Sequence, residues 1–523
     1  MPEAQTNRTI KATSDREDHV RQASVSLHGI DWLYCSQRVH TSALHNEKVI
    51  TGDVVKSSSK RLVICSPEGI FVKEVYYEGL RAMMKTLAGG NACREGNINL
   101  ELARRKVNVP NVLAFGADKR LGLLSRDLLL TEKVRAGFSL QEFIPTVRET
   151  RSFSAKQKFI QDFANFIKTL HNKGVQHTDL HVGNILVEKQ DQTRFCILDV
   201  DRVILNEANL SERSVNQNLA LLLCTLWSLS NSLERFRFLK SYTGVAHMRN
   251  ERWRIEEIKQ VALKISHRVW KKKAVRCLHN NSRFIKSKFE NFNIYRVRHP
   301  EIQNTLSALL PNPDELLNRG EVLKDGRTVK AAKVQINGKS YFLKRYNCKG
   351  NTYRIRNAFR RSRAVRTWFA TWSLTVRNVP VPKAYACLEE RHFGLLERSY
   401  LLYEYVHGDR LCDLWPLLDD LSKRRMLAKL AITIGNMHLF GGFHGDLKWP
   451  NILVSEKRGR FEFALSDLDG SRIFTGLTAQ KAHKDIRRFL VDLKKTSGSD
   501  VFEKAFVETW RKWSGKKPLQ PMA

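Results

Sequence analysis

The chain has 523 residues, of which 42% are hydrophobic, so bulk disorder is excluded and roughly two to four domains are expected. Lys and Arg number 89 against 53 Asp and Glu, and the resulting charge of +36 favours anionic partners: nucleic acid, an acidic membrane face or a phosphorylated substrate. The nine cysteines include no C-x-x-C pair, which argues against a zinc site and for reduced thiols in a cytosolic protein.

The chain begins with a polar stretch of mixed charge, and we expect residues 1–26 to form a tail. No apolar signal core follows it, so secretion is not expected. The most apolar run, Leu219–Leu233, is short and rich in Ser and Asn, and it is predicted to be a buried helix rather than a membrane span.

The first predicted domain covers residues 27–245 and begins with strands. A Pro67-Glu68-Gly69 turn separates two short strands, a helix is expected next, and a third strand and a second helix follow. The predicted elements, in that order, are Leu62–Cys65, Ile70–Glu74, Ala92–Val107, Leu128–Val134 and Ala155–Asn172.

A second predicted domain, residues 301–523, repeats this order. Asn337-Gly338 is a two-residue hairpin signal between its first two strands. The predicted elements are Val329–Ile336, Lys339–Arg345, a helix over Arg360–Val376, a strand over Ser399–Val406 and a helix over Lys423–Phe440. Strands followed by helices indicate an α+β class, with a small sheet-rich lobe and a larger helical lobe in each domain.

The intervening residues, 246–300, are predicted to form a basic helical linker. Between Arg268 and Arg298 there are ten Lys or Arg residues, and Glu290 is the only acid. Such a stretch is either a solvated helix face or a surface for anionic lipid.

Each domain contains the pattern H-x-D-L-x-x-x-N-I-L-V followed by an acidic strand end. The carboxylates of Asp179 and Asp446 suit a group that orients an acceptor hydroxyl and takes its proton. Oxygen ligands for Mg²⁺ are expected from Asn184 with Asp199 in the first copy and from Asn451 with Asp467 in the second. The histidines that open the two patterns, His177 and His444, are expected to be structural.

Further residues are expected to bind ATP. A lysine on a strand should hold the α- and β-phosphates of ATP, and Lys73 and Lys344 lie on suitable strands. Glu132 and Glu404 fall in the strand that is expected to connect the two lobes of each domain. Neither copy has a G-x-G-x-x-G loop to cover the phosphates.

The two sets keep one register along the chain. Asp446 follows Asp179 by 267 residues, Asn451 follows Asn184 by the same interval, and Lys344 follows Lys73 by 271. A single H-x-D-x₄-N match is weak evidence, but two matches in register with matching lysines are not readily accidental. Asn218 and Asp485, also 267 residues apart, are expected to start a helix and to brace the backbone of this loop.

The copies differ in the expected partner of the lysine. Glu95, on the first helix, suits the glutamate that usually pairs with the strand lysine, whereas Thr367 occupies the corresponding position of the second copy. We therefore expect the first domain to be the stronger catalyst, unless an acid elsewhere holds Lys344. His181 against Lys448 is a second difference, and it is compatible with different acceptors.

At these motifs the sequence resembles the bacterial lipopolysaccharide kinase family of the Kdo/WaaP type, which has a protein-kinase-like fold. The likeness includes both H-x-D-L-x-x-x-N-I-L patterns, Val109-Pro110, Val379-Pro380-Val381-Pro382, the Leu198–Arg202 strand end and Arg235–Tyr242. The resemblance implies two tandem kinase-like domains that use ATP and Mg²⁺ to phosphorylate a Kdo or heptose hydroxyl of the lipopolysaccharide inner core. It also implies a peripheral location at the cytoplasmic face of the inner membrane.

Three alternatives remain open at this point. One is a kinase for a protein or a soluble small molecule, and another is a scaffold in which one or both copies are pseudokinases. Nucleic-acid binding is suggested by charge alone, and we expect no specific nucleic-acid partner because no recognised module is present. The sequence does not define the oligomeric state.

Overall fold

The chain divides into two compact units, Met1–Ala262 and Leu263–Ala523, and each is described by itself. The computed structural model describes residues 25–27, 30–36, 52–134, 137–150, 152–189, 193–227, 229–244, 252–310, 312–348, 350, 354–355, 358, 360–457, 459–497 and 500–516. Most of the predicted polar tail, residues 1–26, lies outside these ranges.

The first unit begins with a seven-stranded antiparallel sheet in the order β1-β2-β6-β7-β5-β4-β3. Its strands are β1 (Val25–Leu27), β2 (Ile30–Cys35), β3 (Asp53–Ser58), β4 (Arg61–Cys65), β5 (Ile70–Tyr76), β6 (Val112–Arg120) and β7 (Leu123–Glu132). Two helices, α1 (Gly79–Ala88) and α2 (Asn91–Arg104), connect β5 to β6. Val75 and Leu129 belong to an apolar cluster with Ala92 of α2, so α2 is fixed against the sheet by hydrophobic burial.

A helical lobe follows in the same unit. Its helices are α3 (Leu140–Thr150), α4 (Phe153–Asn172), α5 (Glu212–Leu226) and α6 (Ser232–Thr243), and α7 (Arg252–Val275) crosses the boundary between the units. The lobe also contains the short strands β8 (Gly137–Ser139), β9 (Val175–His177), β10 (Ile185–Lys189), β11 (Thr193–Ile197) and β12 (Val203–Leu205). Its core is rich in aromatic rings, in which Phe195 contacts Phe159, Phe163 and Phe166 at centroid distances of 5.3–5.8 Å.

The second unit repeats the first sheet, in the order β13-β14-β18-β19-β17-β16-β15. Its strands are β13 (Phe284–Phe289), β14 (Phe292–Val297), β15 (Glu321–Gly326), β16 (Val329–Ile336), β17 (Lys339–Tyr346), β18 (Ala384–His392) and β19 (Leu395–Glu404). Strand for strand, the order matches that of the first unit.

The predicted helical linker, residues 246–300, is wrong in its second half. Helix α7 ends at Val275, and β13 and β14 then form a hairpin whose second strand pairs with β18. Phe284, Phe292 and Ile294 are buried by this pairing, while the lysines of β13 lie on its exposed side. The hairpin is part of the second sheet, so the second domain begins before residue 301.

The second helical lobe also follows the pattern of the first. Among the described residues after α7, the helices are α8 (Pro300–Leu309), α9 (Pro313–Arg319), α10 (Arg363–Thr375), α11 (Leu411–Leu414), α12 (Asp420–Leu439), α13 (Ala479–Ser497) and α14 (Asp500–Ser514). The remaining strands are β20 (Asp409–Arg410), β21 (Gly442–Phe443), β22 (Ile452–Lys457), β23 (Arg460–Leu465) and β24 (Arg472–Ile473). Trp449, Phe489 and Trp510 are completely buried in its core.

These elements confirm the α+β class and the two bilobal domains. The predicted strands and helices agree with the observed ones to within a few residues at their ends, but Leu219–Leu233 is divided between α5 and α6 rather than forming one helix. Among the described residues, no helix is long and apolar enough to cross a membrane.

Candidate active sites

The strand lysines occupy matching places in the two sheets. Lys73 lies in β5 opposite Leu129 of β7, and Lys344 lies in β17 opposite Leu401 of β19. Both side chains are buried, although an ammonium group is costly to remove from water. Each lysine must therefore have anionic partners within its own domain.

In the first domain, Lys73 has the predicted helix glutamate as a partner. The Lys73 ammonium forms an ion pair with Glu95 and a second one, 2.9 Å long, with Asp199. Burial by itself would lower the pKa of Lys73, but the two carboxylates outweigh it, and the pKa lies above its usual value. Lys73 thus stays protonated at neutral pH and joins the sheet, helix α2 and the end of β11.

Helix α2 is fixed so that Glu95 points to this lysine. Asp127, which is fully buried in β7, accepts hydrogen bonds from the backbone N–H groups of Ala92 and Cys93 at the start of the helix. The Tyr77 hydroxyl donates to the same carboxylate. A carboxylate at a helix N-terminus satisfies otherwise unpaired N–H groups and interacts favourably with the helix dipole.

In the second domain, a different acid holds the lysine. Thr367 is the fifth residue of α10, as Glu95 is of α2, and it offers no charge. Lys344 instead forms ion pairs of 2.7 Å with Asp467 and 3.0 Å with Asp469. Arg363 at the start of α10 also binds Asp469, at 3.0 Å. The acid elsewhere that the sequence left open is therefore Asp469.

The histidines of both loops are internal braces. In the first loop, Nδ1 of His177 accepts from the Asp179 N–H at 3.2 Å, and Nε2 faces the Leu198 carbonyl at 3.3 Å. His444 makes the same two contacts, with the Asp446 N–H and the Ser466 carbonyl. Burial lowers the pKa of both imidazoles, so each is neutral at physiological pH. Neither ring is positioned as an acid or a base for a substrate.

As predicted, one helix residue in each domain braces the backbone of the loop that contains Asp179 or Asp446. Oδ1 of Asn218 accepts from the His177 N–H at 3.1 Å. Asp485 accepts from the N–H groups of His444 and Gly445 at 2.7 and 2.9 Å, so its carboxylate holds two peptide units. Contrary to the prediction, both residues lie inside helices α5 and α13 rather than at their starts.

The two loop aspartates are accessible from solvent. Asp179 has a side chain that is 48% exposed, and Arg202 lies 3.5 Å from its carboxylate. Asp446 is 43% exposed, with Lys448 at 2.9 Å and Arg488 at 3.7 Å. Both carboxylates are thus presented to an incoming acceptor beside a cation, in contrast to the buried histidines.

The predicted metal ligands lie at the same end of a β-hairpin in each domain. Ile185 of β10 pairs with Ile197 of β11, so Asn184 and Asp199 lie at one end, and the pairing of Ile452 with Leu465 does the same for Asn451 and Asp467. Each asparagine donates from Nδ2 to the carbonyl of the loop aspartate, which leaves its Oδ1 as the atom available to a cation. Amide and carboxylate oxygens are the ligands that Mg²⁺ prefers, so this donor set fits the ion.

Asp199 and Asp467 share an unusual backbone conformation. Both have a φ of 54°, in the left-handed region that non-glycine residues rarely adopt. Such residues concentrate at functional sites, where the surrounding structure offsets their cost. Burial would raise the pKa of each carboxyl, but Lys73 and Lys344 respectively outweigh it, and both pKa values lie below the usual range.

Glu132 and Glu404 are the last residues of β7 and β19, where each sheet-rich lobe passes into the helical lobe. The backbone N–H of Glu132 donates to the Asn111 carbonyl and that of Glu404 to the Lys383 carbonyl, both at 2.9 Å. The structure thus gives the two residues equivalent places. Their contact with nucleotide remains a prediction.

Several site residues were missed or left unassigned in the sequence. Asp469 follows Asp467 by two residues, and its partners Lys344 and Arg363 are more than 100 residues away. In the first domain the equivalent Asp201 is joined by Glu95 and Asp199, with carboxylate oxygens within 4.8 Å of one another. The D-x-D pattern was visible in both copies, but the partner of its second acid depends on which residue helix α2 or α10 presents.

Taken together, each domain has a buried strand lysine, a braced loop with an accessible aspartate, and a carboxylate and an amide at a hairpin end. This is the arrangement of protein-kinase-like phosphotransferases. The model of the lipopolysaccharide kinase (Kdo/WaaP) family matches residues 68–242 and 312–509, which is more than half of the chain and covers both domains. The chain therefore belongs to the lipopolysaccharide kinase (Kdo/WaaP) family, and it is a phosphotransferase with an alcohol group as acceptor.

One solved structure that is similar to the chain is that of WaaP in complex with acyl carrier protein. The identity is 21% and the TM-score 0.32, over 42% of this chain and 91% of that chain. None of the curated proteins matches the chain.

Proposed function

We propose that the chain transfers the terminal phosphate of ATP, with Mg²⁺, to a Kdo or heptose hydroxyl of the lipopolysaccharide inner core. The observation that carries the proposal is the paired lysine–aspartate contact, Lys73 with Asp199 and Lys344 with Asp467, beside an accessible loop aspartate in each domain. Family membership supports a lipopolysaccharide substrate, and the choice of sugar is the further step proposed.

In this proposal the side chains divide the work of transfer among them. Lys73 would orient the α- and β-phosphates of ATP, and Asn184 with Asp199 would hold Mg²⁺, which would supply positive charge beside the phosphates. Asp179 orients the acceptor hydroxyl and accepts its proton as the oxygen bonds to the terminal phosphorus and the bond to ADP breaks. Lys344, Asn451, Asp467 and Asp446 take the same roles in the second domain.

The direct test is phosphorylation of a purified inner-core acceptor by the full chain with ATP and Mg²⁺, followed by mass spectrometry of the product. We expect the acceptor to gain a phosphate on a Kdo or heptose residue. Phosphate on a protein or a soluble small molecule, with none on the core, would support the alternative substrates instead. No transfer to any of these acceptors would favour a scaffold.

We further propose that the protein lies on the anionic cytoplasmic face of the inner membrane. Helix α1 exposes an apolar stripe with the i, i+3, i+4, i+7 spacing: Leu80, Met83, Met84 and Leu87 are 80, 54, 67 and 85% exposed. Arg81 and Lys85 flank the stripe. An apolar stripe with adjacent cations suits insertion into the interface of an anionic bilayer, and the charge of +36 complements that surface.

The exposed lysines at the end of α7 offer a second contact, which is purely electrostatic. Lys271, Lys272, Lys273 and Arg276 are all exposed. Flotation with phosphatidylglycerol vesicles separates the two contributions. Replacing these four residues by Gln should weaken binding at low salt and make it less sensitive to salt, because the charges that salt screens within about 8 Å at physiological ionic strength have been removed. Replacing Leu80 and Leu87 by Gln should reduce binding at every salt concentration, and unchanged flotation of both variants would contradict the proposed location.

A further inference from the structure

A cavity in the second domain is lined by an unusual number of arginines. It has a volume of about 440 Å³ and lies between the start of α10 and the segment that follows Asp467. Its cationic lining residues are Arg361, Arg363, Arg366 and Arg472, against one acid, Asp469. The volume is in the range of small-molecule sites, so the cavity is large enough for a phosphorylated ligand.

Three of these arginines have no counter-charge. Asp469 is already bonded to Lys344 and Arg363. Throughout the ranges that the structure describes, Arg361, Arg366 and Arg472 form no ion pair and no side-chain hydrogen bond, although Arg361 lies over the ring of Phe369. Like charges that converge on one cavity repel each other, and an anion between them removes that repulsion.

Arg361, Arg363 and Arg366 lie at or just before the start of α10, and this position makes the clustering of positive charge still less favourable. The first turn of α10 contains no acid, and Arg363 is its first residue. Cations are unfavourable at the positive end of a helix dipole, whereas anions are favourable there. The local electrostatics of helix and side chains thus favour the same kind of ligand.

The first domain shows that the fold itself does not require this cluster. By the alignment of Thr367 with Glu95 and of Asp469 with Asp201, the four arginines correspond to Gly89, Asn91, Arg94 and Ile204. Three of the four cations are absent there, while the sheet order and the hairpin of the metal ligands are the same. The cluster of four arginines is therefore a feature of the second domain alone, although Arg94 of the first domain corresponds to one of its members.

We propose that this cavity, which adjoins the active site at Asp469, is a binding site for a phosphate group other than those of the nucleotide. A phosphate presents several acceptor oxygens to guanidinium groups from different directions, which suits arginines on both α10 and β24. The phosphate is carried either by a lipid headgroup or by a soluble phosphorylated molecule. Binding there needs no catalytic turnover, so its test is independent of the proposed function.

The test compares two triple variants of the full chain. The first replaces Arg361, Arg366 and Arg472 by Ala and leaves Arg363 in place, because Arg363 supports Asp469 in the active site. The matched control replaces three exposed arginines of the same domain, Arg327, Arg425 and Arg487, and so removes the same charge. Circular dichroism and binding of a non-hydrolysable ATP analogue verify that both variants are folded.

Equilibrium dialysis with radiolabelled inorganic phosphate, in the presence of excess ATP analogue, measures the soluble arm, and flotation with phosphatidylglycerol vesicles measures the lipid arm. We expect the cavity variant to bind at least tenfold more weakly than the wild type in one arm, and the control to stay within twofold. Loss in dialysis identifies a soluble phosphate as the ligand, and loss confined to flotation identifies a lipid phosphate. Equal behaviour of the two variants in both arms, or no binding by the wild type in either, would overturn the proposal.

Discussion

The two domains solve one problem, the burial of a strand lysine, with acids from different places. In the first domain the second carboxylate comes from helix α2, as Glu95, whereas in the second domain it comes from the loop after β23, as Asp469. Thr367 at the helix position carries no charge, and Arg363 instead links α10 to the same loop acid. The buried lysine thus requires a second anion, but this anion need not come from one particular position.

The different lysine partners change the negative charge that is available to a metal ion at the end of the hairpin. In the first domain Lys73 is bonded to Glu95 and Asp199 and not to Asp201. In the second domain Lys344 and Arg363 bind the two acids of the D-x-D pattern at 2.7–3.0 Å, whereas Arg61 of the first domain lies 3.9 and 4.0 Å from Asp199 and Asp201. The acids of the second domain are therefore more strongly neutralised, and less negative charge remains there for a metal ion. We therefore predict that the first domain is the stronger catalyst. The sequence led to the same prediction, but there the reason was the missing acid at Thr367.

The largest expected effect is the loss of the loop aspartate. In a chain whose second domain is disabled by Asp446→Asn, adding Asp179→Asn should reduce transfer by roughly 10²- to 10⁴-fold, because no carboxylate then takes the proton of the substrate hydroxyl. Binding of the ATP analogue should persist, since Lys73 and Asp199 remain. Turnover equal to that of the Asp446→Asn chain would remove Asp179 from the catalytic role.

The lysine partners are expected to show a smaller effect in each domain. Glu95→Gln in the Asp446→Asn chain leaves Lys73 with Asp199 alone, and a misplaced lysine should cost on the order of 10²-fold in transfer. Asp469→Asn in the Asp179→Asn chain should do the same to the second domain.

Asp201→Asn is the matched control for Asp469→Asn. It occupies the same position in the first domain but is not bonded to Lys73, so we expect a clearly smaller loss than for Glu95→Gln. If Asp201→Asn and Glu95→Gln cost the same, the two domains do not differ in the way described.

A buried histidine of the first domain should make that domain sensitive to acid. His171 and His438 are 267 residues apart; Asn218 lies beside the first, and the carboxylate of Asp485 lies 3.2 Å from the second. Burial lowers the pKa of His171 to about 4. The unfolded chain binds this proton near the ordinary value of about 6.5. Stability is therefore lost as the pH falls from about 6.5 towards 4, by about 3 kcal/mol for this group.

Asn218→Asp gives the first domain the acid of the second and should reduce that loss, because a carboxylate favours the protonated ring. Hydrogen exchange measured by mass spectrometry on peptides of each domain, between pH 7 and pH 4, separates the two domains. A first domain whose protection does not change with pH in either form would contradict this account of His171.

How far the sequence predicted these features depends on the range of the interactions involved. The loop motif, the hairpin acids and the strand lysines follow from short spacings and from their repetition, and the structure brings each set together. The ion pairs of Asp469 join residues up to 125 positions apart, so no local pattern contains them. The β13–β14 hairpin was missed because its exposed face carries lysines, which made an edge of the sheet resemble a solvated linker.

The most direct test of the unequal domains is to remove one metal ligand at a time. Asp199→Ala and Asp467→Ala should each be measured in an otherwise unchanged chain, with ATP, Mg²⁺ and purified lipopolysaccharide core as acceptor. We predict that Asp199→Ala removes the larger part of the total activity and that Asp467→Ala leaves most of it. If Asp467→Ala alone abolishes transfer, the second domain is the catalyst and the ranking of the two domains is reversed.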